Sequence, residues 1–272
     1  MRATLEQGLP ALGLGPELIE PLEAFSRMLL EKNQVMNLTA ITDPRDVAVL
    51  HLLDSLALTG LAGLEGAGRS EVASSIFGID PADEGEILID GRKVNIKSPA
   101  EAVDSGIGMV TEDRLRQGII AQLSVKDNMT LARLGNYCDK VFGIIREKDE
   151  LKAVADMIKT VQVKVSDHNQ RIDSLSGGNQ QKVIIGRWIM TTPKILILDE
   201  PTRGIDVGSK SEIHRLMSSF VKQGMSIILI SSEMPEVLGM ADRIVVMREG
   251  KAVFTCNREE ASQELLGKYV LG

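Results

Sequence analysis

The sequence predicts an α/β fold in which a mainly parallel β-sheet is covered by helices on both faces. From about residue 60 onward, short apolar runs alternate with stretches whose apolar residues recur at helical spacing. The runs contain almost no polar residues, which is typical of strands that are buried on both faces. At 272 residues, 43% apolar and 25% charged, the chain has a globular composition and suits one large domain or two modest ones.

Charge and composition exclude several classes of function. The net charge is −7 and only 3% of the residues are aromatic, so we expect no nucleic-acid partner. Cys138 and Cys256 have no metal-site spacing and indicate no disulfide framework. We expect a cytoplasmic protein with at most a peripheral membrane role, since no apolar run reaches the roughly 18 residues of a spanning helix.

Five apolar runs are predicted to form strands. Residues 85–91 are predicted to form a strand that closes in an Asp-Gly turn, and residues 107–110 a short buried strand. The strongest runs are residues 194–198, 226–230 and 243–247. Because helical patterns separate most of them, these strands are expected to pair in parallel.

Helices are predicted both between these strands and before them. The clearest patterns after residue 60 cover residues 148–161 and 210–223. Residues 1–58 form a separate helical segment, with helix starts at Pro16 and at Asp43, where a Pro follows the capping residue. The chain therefore changes character near residue 60.

A glycine-rich loop at residues 63–70 is the first candidate for a binding site. It reads Gly-Leu-Glu-Gly-Ala-Gly-Arg-Ser and lies between an apolar run and a helix that begins near Glu71. Such a loop points backbone N–H groups at a phosphate. Arg69 stands where a phosphate loop normally has Lys, and Ser70 keeps the hydroxyl that binds Mg²⁺. The alternative is a flexible turn.

Two acids follow the apolar run at residues 194–198. Asp199 is placed to hold the Mg²⁺ of a nucleotide, and Glu200 to orient or deprotonate an attacking water. The alternative is that both acids only solvate the end of a strand.

A second anion site is predicted before the helical pattern at residues 183–190. Residues 175–182 read Leu-Ser-Gly-Gly-Asn-Gln-Gln-Lys, so Ser176 and the amides of Gly177 and Gly178 would bind an anion at a helix N-terminus. The alternative is a simple helix cap.

Residues 60–266 resemble a nucleotide-binding domain of an ABC transporter, which is a P-loop NTPase with a helical subdomain. The signature at residues 175–180, the Walker B acids Asp199 and Glu200, and the loop at residues 204–206 stand in the family order. The variant phosphate loop and the string at residues 231–236 resemble the second ATPase half of importers for ribose, xylose and galactose or methyl-galactoside. We therefore expect a domain over residues 60–272 that lacks the first antiparallel strands of the family.

The resemblance implies an ATPase that drives sugar import, with ATP and Mg²⁺ as cofactors. Glu200 would be catalytic, and Ser70 and Asp199 would bind the metal. The expected nucleotide-binding residues come from the phosphate loop, the Q-loop position, the signature, the loop after Walker B and the switch position: Gly63, Gly66, Ala67, Gly68, Arg69, Ser70, Glu71, Glu112, Ser176, Gly177, Gly178, Asp206 and Glu233. The implied partners are a second ATPase domain in a head-to-tail dimer, membrane permease subunits and, indirectly, a periplasmic or extracellular sugar-binding protein. The implied location is the inner face of the cell membrane.

Three positions depart from the pattern of the most active ABC domains. Arg69 occupies the lysine position, Glu112 the Q-loop glutamine position and Glu233 the switch histidine position. These departures leave a second hypothesis open, in which the chain is a non-hydrolysing nucleotide-binding module that completes the site of a partner.

Residues 1–58 resemble the N-terminal helical region of the small-subunit ribosomal RNA methyltransferase G family. The resemblance depends on four blocks, at residues 22–27, 36–40, 43–44 and 51–56. It indicates a fusion, and it leaves a third hypothesis, a fragment of a 16S rRNA guanine-N7 methyltransferase, although no loop for a methyl donor is visible.

Overall fold

The structure, a computed structural model, describes residues 58–64, 66–140 and 142–271. The N-terminal helices that start at Pro16 and Asp43, and the segment that resembles a methyltransferase, lie outside these ranges. The chain divides into two compact units, one of Met1–Leu52 with Ala82–Val94 and the other of Leu53–Pro81 with Asn95–Gly272. A domain boundary near residue 58 therefore stays a prediction.

The described part of the first unit is a β-hairpin. Strand β2 (Ile87–Ile89) pairs antiparallel with β3 (Arg92–Val94). Asp90 and Gly91 both have left-handed backbone angles, with φ of 52° and 68°. An Asp-Gly pair adopts this turn readily, because Asp tolerates and Gly favours positive φ. The strand and the turn predicted for residues 85–91 are confirmed.

The second unit contains a six-stranded sheet. Its strands are β1 (Leu58–Ala62), β4 (Ile107–Val110), β5 (Ile195–Asp199), β6 (Ser226–Ser231), β7 (Arg243–Arg248) and β8 (Lys251–Asn257). The order is β4-β5-β6-β1-β7-β8, and only β8 runs antiparallel to its neighbour. Every residue of β1, β4 and β5 is buried. The predicted α/β fold is confirmed.

Eight α-helices accompany the strands in the described ranges. They are α1 (Arg69–Ile76), α2 (Pro99–Asp104), α3 (Val125–Thr130), α4 (Glu147–Thr160), α5 (Gly177–Ile189), α6 (Val207–Lys222), α7 (Met234–Met240) and α8 (Gln263–Leu271). Helices α3, α4 and α5 pack on one another as the helical part of the domain. None of the helices in these ranges is both long and apolar enough to span a membrane.

Two predicted helices begin earlier than the apolar pattern indicated. Helix α6 starts three residues before the predicted residue 210, because Asp206 caps it: the Ser209 amide donates to Asp206 Oδ1 at 2.9 Å. Helix α5 starts at Gly177 rather than at residue 183, so the glycines of the signature form its first turn. Helix α4 agrees with the prediction to within one residue.

A buried polar contact fixes α5 against α3. Arg187 of α5 donates from Nε to the Asn128 carbonyl at 2.6 Å and from Nη2 to Asn128 Oδ1 at 3.1 Å. Burial lowers the pKa of Arg187 to about 10, so the guanidinium is still charged at neutral pH. The signature helix is thus held at its last turn by a charge-assisted hydrogen bond.

The carboxyl ends of β1, β5 and β6 meet at one edge of the sheet. In the register of the strands, Ala62 lies beside Ser231, and Asp199 lies beside Ile230. Parallel α/β sheets bind ligands at this edge, where the loops after the strands converge. The fold therefore brings the glycine-rich loop, the two acids and the loop after β6 together.

Candidate functional site

The glycine-rich loop connects β1 to α1. The residue directly before α1, Gly68, has a backbone conformation that favours glycine. Gly68 has φ of 93°, and a Cβ there would lie 2.7 Å from the Cα of Gly250. The Gly250 amide donates to the Ala67 carbonyl at 2.9 Å, which packs the loop against the turn between β7 and β8. No side chain caps α1, so its first N–H groups are available to an anion.

Arg69 and Glu200 form a nearly buried ion pair at this loop. Arg69 Nη2 lies 3.4 Å from Glu200 Oε1, and both side chains are 6% exposed. Arg69 Nη1 is buried without a hydrogen-bond partner. Since a buried guanidinium nitrogen rarely stays unpaired, the site lacks an acceptor that a phosphate oxygen could supply.

Asp199 lies beside Ser70 and has the features of a cation ligand. It is 2% exposed, and its Oδ1 has no hydrogen-bond partner. Burial raises the pKa of Asp199 to about 6, with repulsion from Glu112 and Glu200 adding to the shift, while the hydrogen bond from Ser70 and the charge of Arg69 oppose it.

A carboxylate that resists ionisation in the free protein fits a site where a divalent cation restores the charge balance. No group of three or more His, Cys, Asp or Glu residues that could hold a metal ion by itself is found in the described ranges. Mg²⁺ is typically held by one or two protein carboxylates together with substrate phosphates. Asp199 and Ser70 therefore fit Mg²⁺ bound together with a nucleotide.

Glu200 is held in a strained backbone conformation at the end of β5. Its φ is +45°, and its amide donates to the Ile230 carbonyl at 2.9 Å. Its Oε1 accepts from the amide of Ser232 at 2.7 Å. Burial raises the pKa of Glu200, and the bonds from Ser232 and the charge of Arg69 oppose this effect. A fixed carboxylate with a raised pKa suits a general base.

Ser232, which the sequence did not mark as a candidate, is the residue whose amide contacts Glu200. Glu233 was predicted to occupy the switch position, but its carboxylate forms an ion pair with Lys210 of α6. Glu112, at the Q-loop position, likewise forms an ion pair with Arg203. The apolar run that ends at residue 230 marked the loop, but it could not show which side chain faces Glu200. Roles for Glu112 and Glu233 in binding nucleotide stay predictions.

The signature segment is built differently from the predicted cap. Ser176 stands at the N-cap of α5 without capping it through its side chain, and its Oγ accepts from Asn179 Nδ2 at 3.0 Å. A Cβ at Gly178 would lie 2.2 Å from Ser209 Oγ, so α5 approaches α6 too closely for any side chain. The side chain of Asp206 is engaged in capping α6.

The structure does not join the two predicted anion sites to each other. In residues 66–70 and 176–178, no hydrogen bond or ion pair links one loop to the other. Gly63, Gly66, Ala67 and Gly68 surround the entry to α1, whereas Gly177 lies beside the guanidinium of Arg114. Each loop could therefore bind an anion separately.

We expect Gly178→Ala to lower the free energy of unfolding by about 2 kcal/mol, because overpacking of a tight contact typically costs this much. Urea denaturation followed by circular dichroism would measure the change. In a Ser209→Gly background the cost of Gly178→Ala should be much smaller, since Ser209 supplies the two nearest atoms. A loss that the second substitution leaves untouched would show that the clash is not between α5 and α6.

Comparison with protein families finds a match over more than half of the chain. The family model described as ABC transporter matches residues 53–203. The chain is 47% identical over 215 residues to a ribose import ATP-binding protein of Oceanobacillus iheyensis. The aligned region covers 79% of this chain and 43% of that protein. It is 49% identical to a putative ribose/galactose/methyl galactoside import ATP-binding protein of Rhizobium etli, over 79% of this chain and 41% of that protein. The chain thus spans less than half the length of these relatives.

Solved structures show the same fold. A nucleotide-free ATP-binding cassette from an ABC transporter superimposes with a TM-score of 0.65 at 22% identity, covering 80% of this chain and 85% of that one. The dimeric post-hydrolysis state of the cassette MJ0796 bound to ADP and Pi gives a TM-score of 0.64 at 23% identity, covering 75% and 86%.

Proposed function

Because the chain belongs to the ABC transporter family, we propose that it is the ATP-binding and ATP-hydrolysing, energy-coupling part of an importer for simple sugars. Relatives close to 50% identity are named for the import of ribose, galactose and methyl galactoside, which supports sugars as the cargo class. The identity of the transported sugar would depend on other parts of the importer.

The observation that carries the proposal is the cluster of charged groups at the ends of β1 and β5. Arg69 and Asp199 each have a buried polar atom without a partner, and Ser70 and Glu200 lie beside them. A nucleotide with Mg²⁺ supplies what both lack, an anion for the guanidinium and a cation for the carboxylate.

In the proposed reaction, water attacks the γ-phosphoryl group of ATP in line, the bond to the β-phosphate oxygen breaks, and ADP and phosphate leave. Glu200 orients the water and accepts its proton, while the amides of the glycine-rich loop and Arg69 hold the phosphates. Bound Mg²⁺ would neutralise developing charge, with Ser70 and Asp199 as its protein ligands.

The separation of the two anion sites supports one proposed partner, a second ATPase domain, and the family supports the others. The Ser176-Gly177-Gly178 segment would cover the nucleotide of a second ATPase domain in a head-to-tail dimer, and that domain would cover the nucleotide of this chain. The region at residues 111–128 would contact membrane permease subunits, and a sugar-binding protein would act indirectly. In this proposed arrangement the chain would lie in the cytoplasm, on the inner face of the membrane.

One observation favours a second candidate, a non-hydrolysing module that completes a partner's site. Arg69 is bulkier and more planar than the usual lysine, and it already pairs with Glu200. The methyltransferase hypothesis has less support, because the relatives named for this chain are ATP-binding proteins.

A thermal-shift titration with Mg·ATP tests the nucleotide site. A ligand at 100 times its Kd stabilises the folded state by about 2.7 kcal/mol, so a clear rise in Tm is expected. Arg69→Ala should reduce this rise. Arg116→Ala should not, because the Arg116 side chain is 89% exposed and pairs only with Asp113 in the described ranges.

S-adenosylmethionine titrated in parallel separates the remaining hypothesis. A Tm shift with Mg·ATP alone supports the ABC function. A shift with S-adenosylmethionine would support the methyltransferase fragment instead, and no shift with Mg·ATP would contradict an independent nucleotide site.

A further inference from the structure

A buried carboxylate outside the proposed catalytic cluster connects three segments of the domain. Glu236 lies in α7, is 6% exposed, and its Oε1 lies 2.7 Å from His214 Nε2 of α6. The same carboxylate also interacts with the hydroxyl groups of Ser231 and Thr202, which are 1% and 2% exposed. These neighbours place the carboxylate beside the end of β6 and the chain after β5, while its Oε2 is buried without a hydrogen-bond partner in the described ranges.

The charge of Glu236 is maintained by these neighbours. Burial alone would raise the pKa of its carboxyl group, but the hydrogen bonds from His214, Ser231 and Thr202 outweigh burial and lower the pKa. The group is consequently ionised at neutral pH, and its hydrogen bonds are charge-assisted. Such bonds are about twice as strong as neutral ones.

The two segments that Glu236 contacts are those that determine the position of Glu200. Thr202 follows Glu200 by two residues. Ser231 precedes Ser232, whose amide donates to Glu200 Oε1 at 2.7 Å. Ser231 Oγ also accepts from the Glu233 amide at 3.0 Å, which fixes the loop on both sides of Ser232.

We propose that Glu236 is a positioning residue that holds the loop at residues 231–233 and, through the Ser232 amide, the carboxylate of Glu200. Glu236 itself touches neither the glycine-rich loop nor Glu200 by any hydrogen bond found in the described ranges. Its importance for turnover rests on the proposed ATPase function, because only that function makes the orientation of Glu200 matter.

Amide hydrogen exchange of the full chain without nucleotide tests the positioning directly. Glu236→Gln keeps the shape of the side chain but removes its charge, so local opening of the loop should become easier. We expect the Ser232 amide to exchange about ten-fold faster, since loss of a charge-assisted bond is worth roughly a factor of ten. Amides of Leu196 and Ile197 in the core strand β5 should keep their wild-type rates.

Two further variants complete the exchange experiment. His214→Ala removes one partner of Glu236 from a partly exposed position and should accelerate the Ser232 amide in the same direction by a smaller factor. Glu264→Gln makes the same chemical change at an 85% exposed side chain of α8 and should alter nothing. An unchanged Ser232 amide in Glu236→Gln would overturn the proposal. Equal acceleration of Ser232, Leu196 and Ile197 would also overturn it, because Glu236 would then support only the fold.

Steady-state kinetics add a second readout. Glu236→Gln should lower kcat for ATP about ten-fold and leave KM for Mg·ATP unchanged, because the phosphate-binding groups are untouched. A raised KM with an unchanged kcat would contradict positioning of Glu200. If the wild-type chain shows no turnover, the proposed ATPase function fails, whereas the exchange of the Ser232 amide still decides the role of Glu236.

Discussion

Glu200→Gln is expected to reduce ATP turnover by at least about 100-fold, the usual contribution of a positioned general base. Gln has the same size and keeps an oxygen for the Ser232 amide, but it cannot take a proton from water. Because the groups that hold the phosphates are unchanged, the stabilisation by Mg·ATP should persist. A phosphate-release assay run beside the thermal-shift titration would measure both quantities.

Glu264→Gln is the matched control for this experiment, since it is the same substitution on an exposed residue. Wild-type turnover that disappears in Glu200→Gln would support the hydrolysing candidate. Turnover that is equal in the two variants would refute the role of Glu200. A wild-type chain that binds Mg·ATP without turning it over would favour the non-hydrolysing module, in which Arg69 and Glu200 stay paired.

Asp199→Asn is expected to stabilise the nucleotide-free protein while removing its response to Mg²⁺. The pKa of Asp199 is raised from 3.8 to about 6. The folded state at neutral pH therefore contains a buried carboxylate whose ionisation costs free energy. Removing this charge should raise the free energy of unfolding by about 2 kcal/mol. The difference between the Tm values with ATP alone and with Mg·ATP should then shrink to nearly zero.

The pH dependence of this gain has a defined sign. Between pH 3.8 and about 6, the folded carboxyl of Asp199 still holds its proton while the unfolded one has lost it. The unfolded state then binds fewer protons, so the stability of the wild type falls as the pH rises through this window. The advantage of Asp199→Asn should therefore be small near pH 4 and complete above pH 6.

Urea unfolding of both proteins at several pH values would measure this dependence. Asp156→Asn, at an exposed position of α4, is the control and should show no comparable gain. A constant difference between Asp199→Asn and the wild type at all pH values would contradict an ionisation effect. A loss of stability at neutral pH would contradict the raised pKa itself.

Both predictions describe a site that is unfavourable until its ligands arrive. Glu200 has a positive φ, Asp199 resists ionisation, and Arg69 has an unpaired nitrogen, all close to one another. Strain and unpaired charge of this kind are typical of functional sites, where stability is exchanged for activity.

Much of the fold and of the candidate site was predictable because its signals are contiguous in the chain. The buried strands predicted at residues 107–110, 194–198 and 226–230 are short runs that consist mainly of apolar residues, and the structure has a strand at each of them. The glycine-rich loop at residues 63–70 is equally local, since its backbone angles and its entry into a helix depend on neighbouring residues. The acids after β5 were predicted on the same grounds.

Side-chain partners were less accessible to sequence reasoning. The string at residues 231–236 identified the loop after β6, yet Glu233 turns to Lys210 and Ser232 faces Glu200. A difference of one residue at a strand exit reverses the direction of a side chain, and only the bend of the loop decides it. The bond between His214 and Glu236 spans 22 residues and has no local pattern at all.

The sequence by itself determined the α/β fold, five of the eight strands in the described ranges and the loops that would surround a nucleotide, because these depend on hydrophobic periodicity and local turn chemistry. Only the tertiary structure decided that Arg69 pairs with Glu200, that Gly178 is required by Ser209, and that Glu236 lies behind the loop of Ser232. These contacts join residues that are far apart in the chain. Their geometry depends on strand register and helix packing, which the chain acquires only when the whole core is formed.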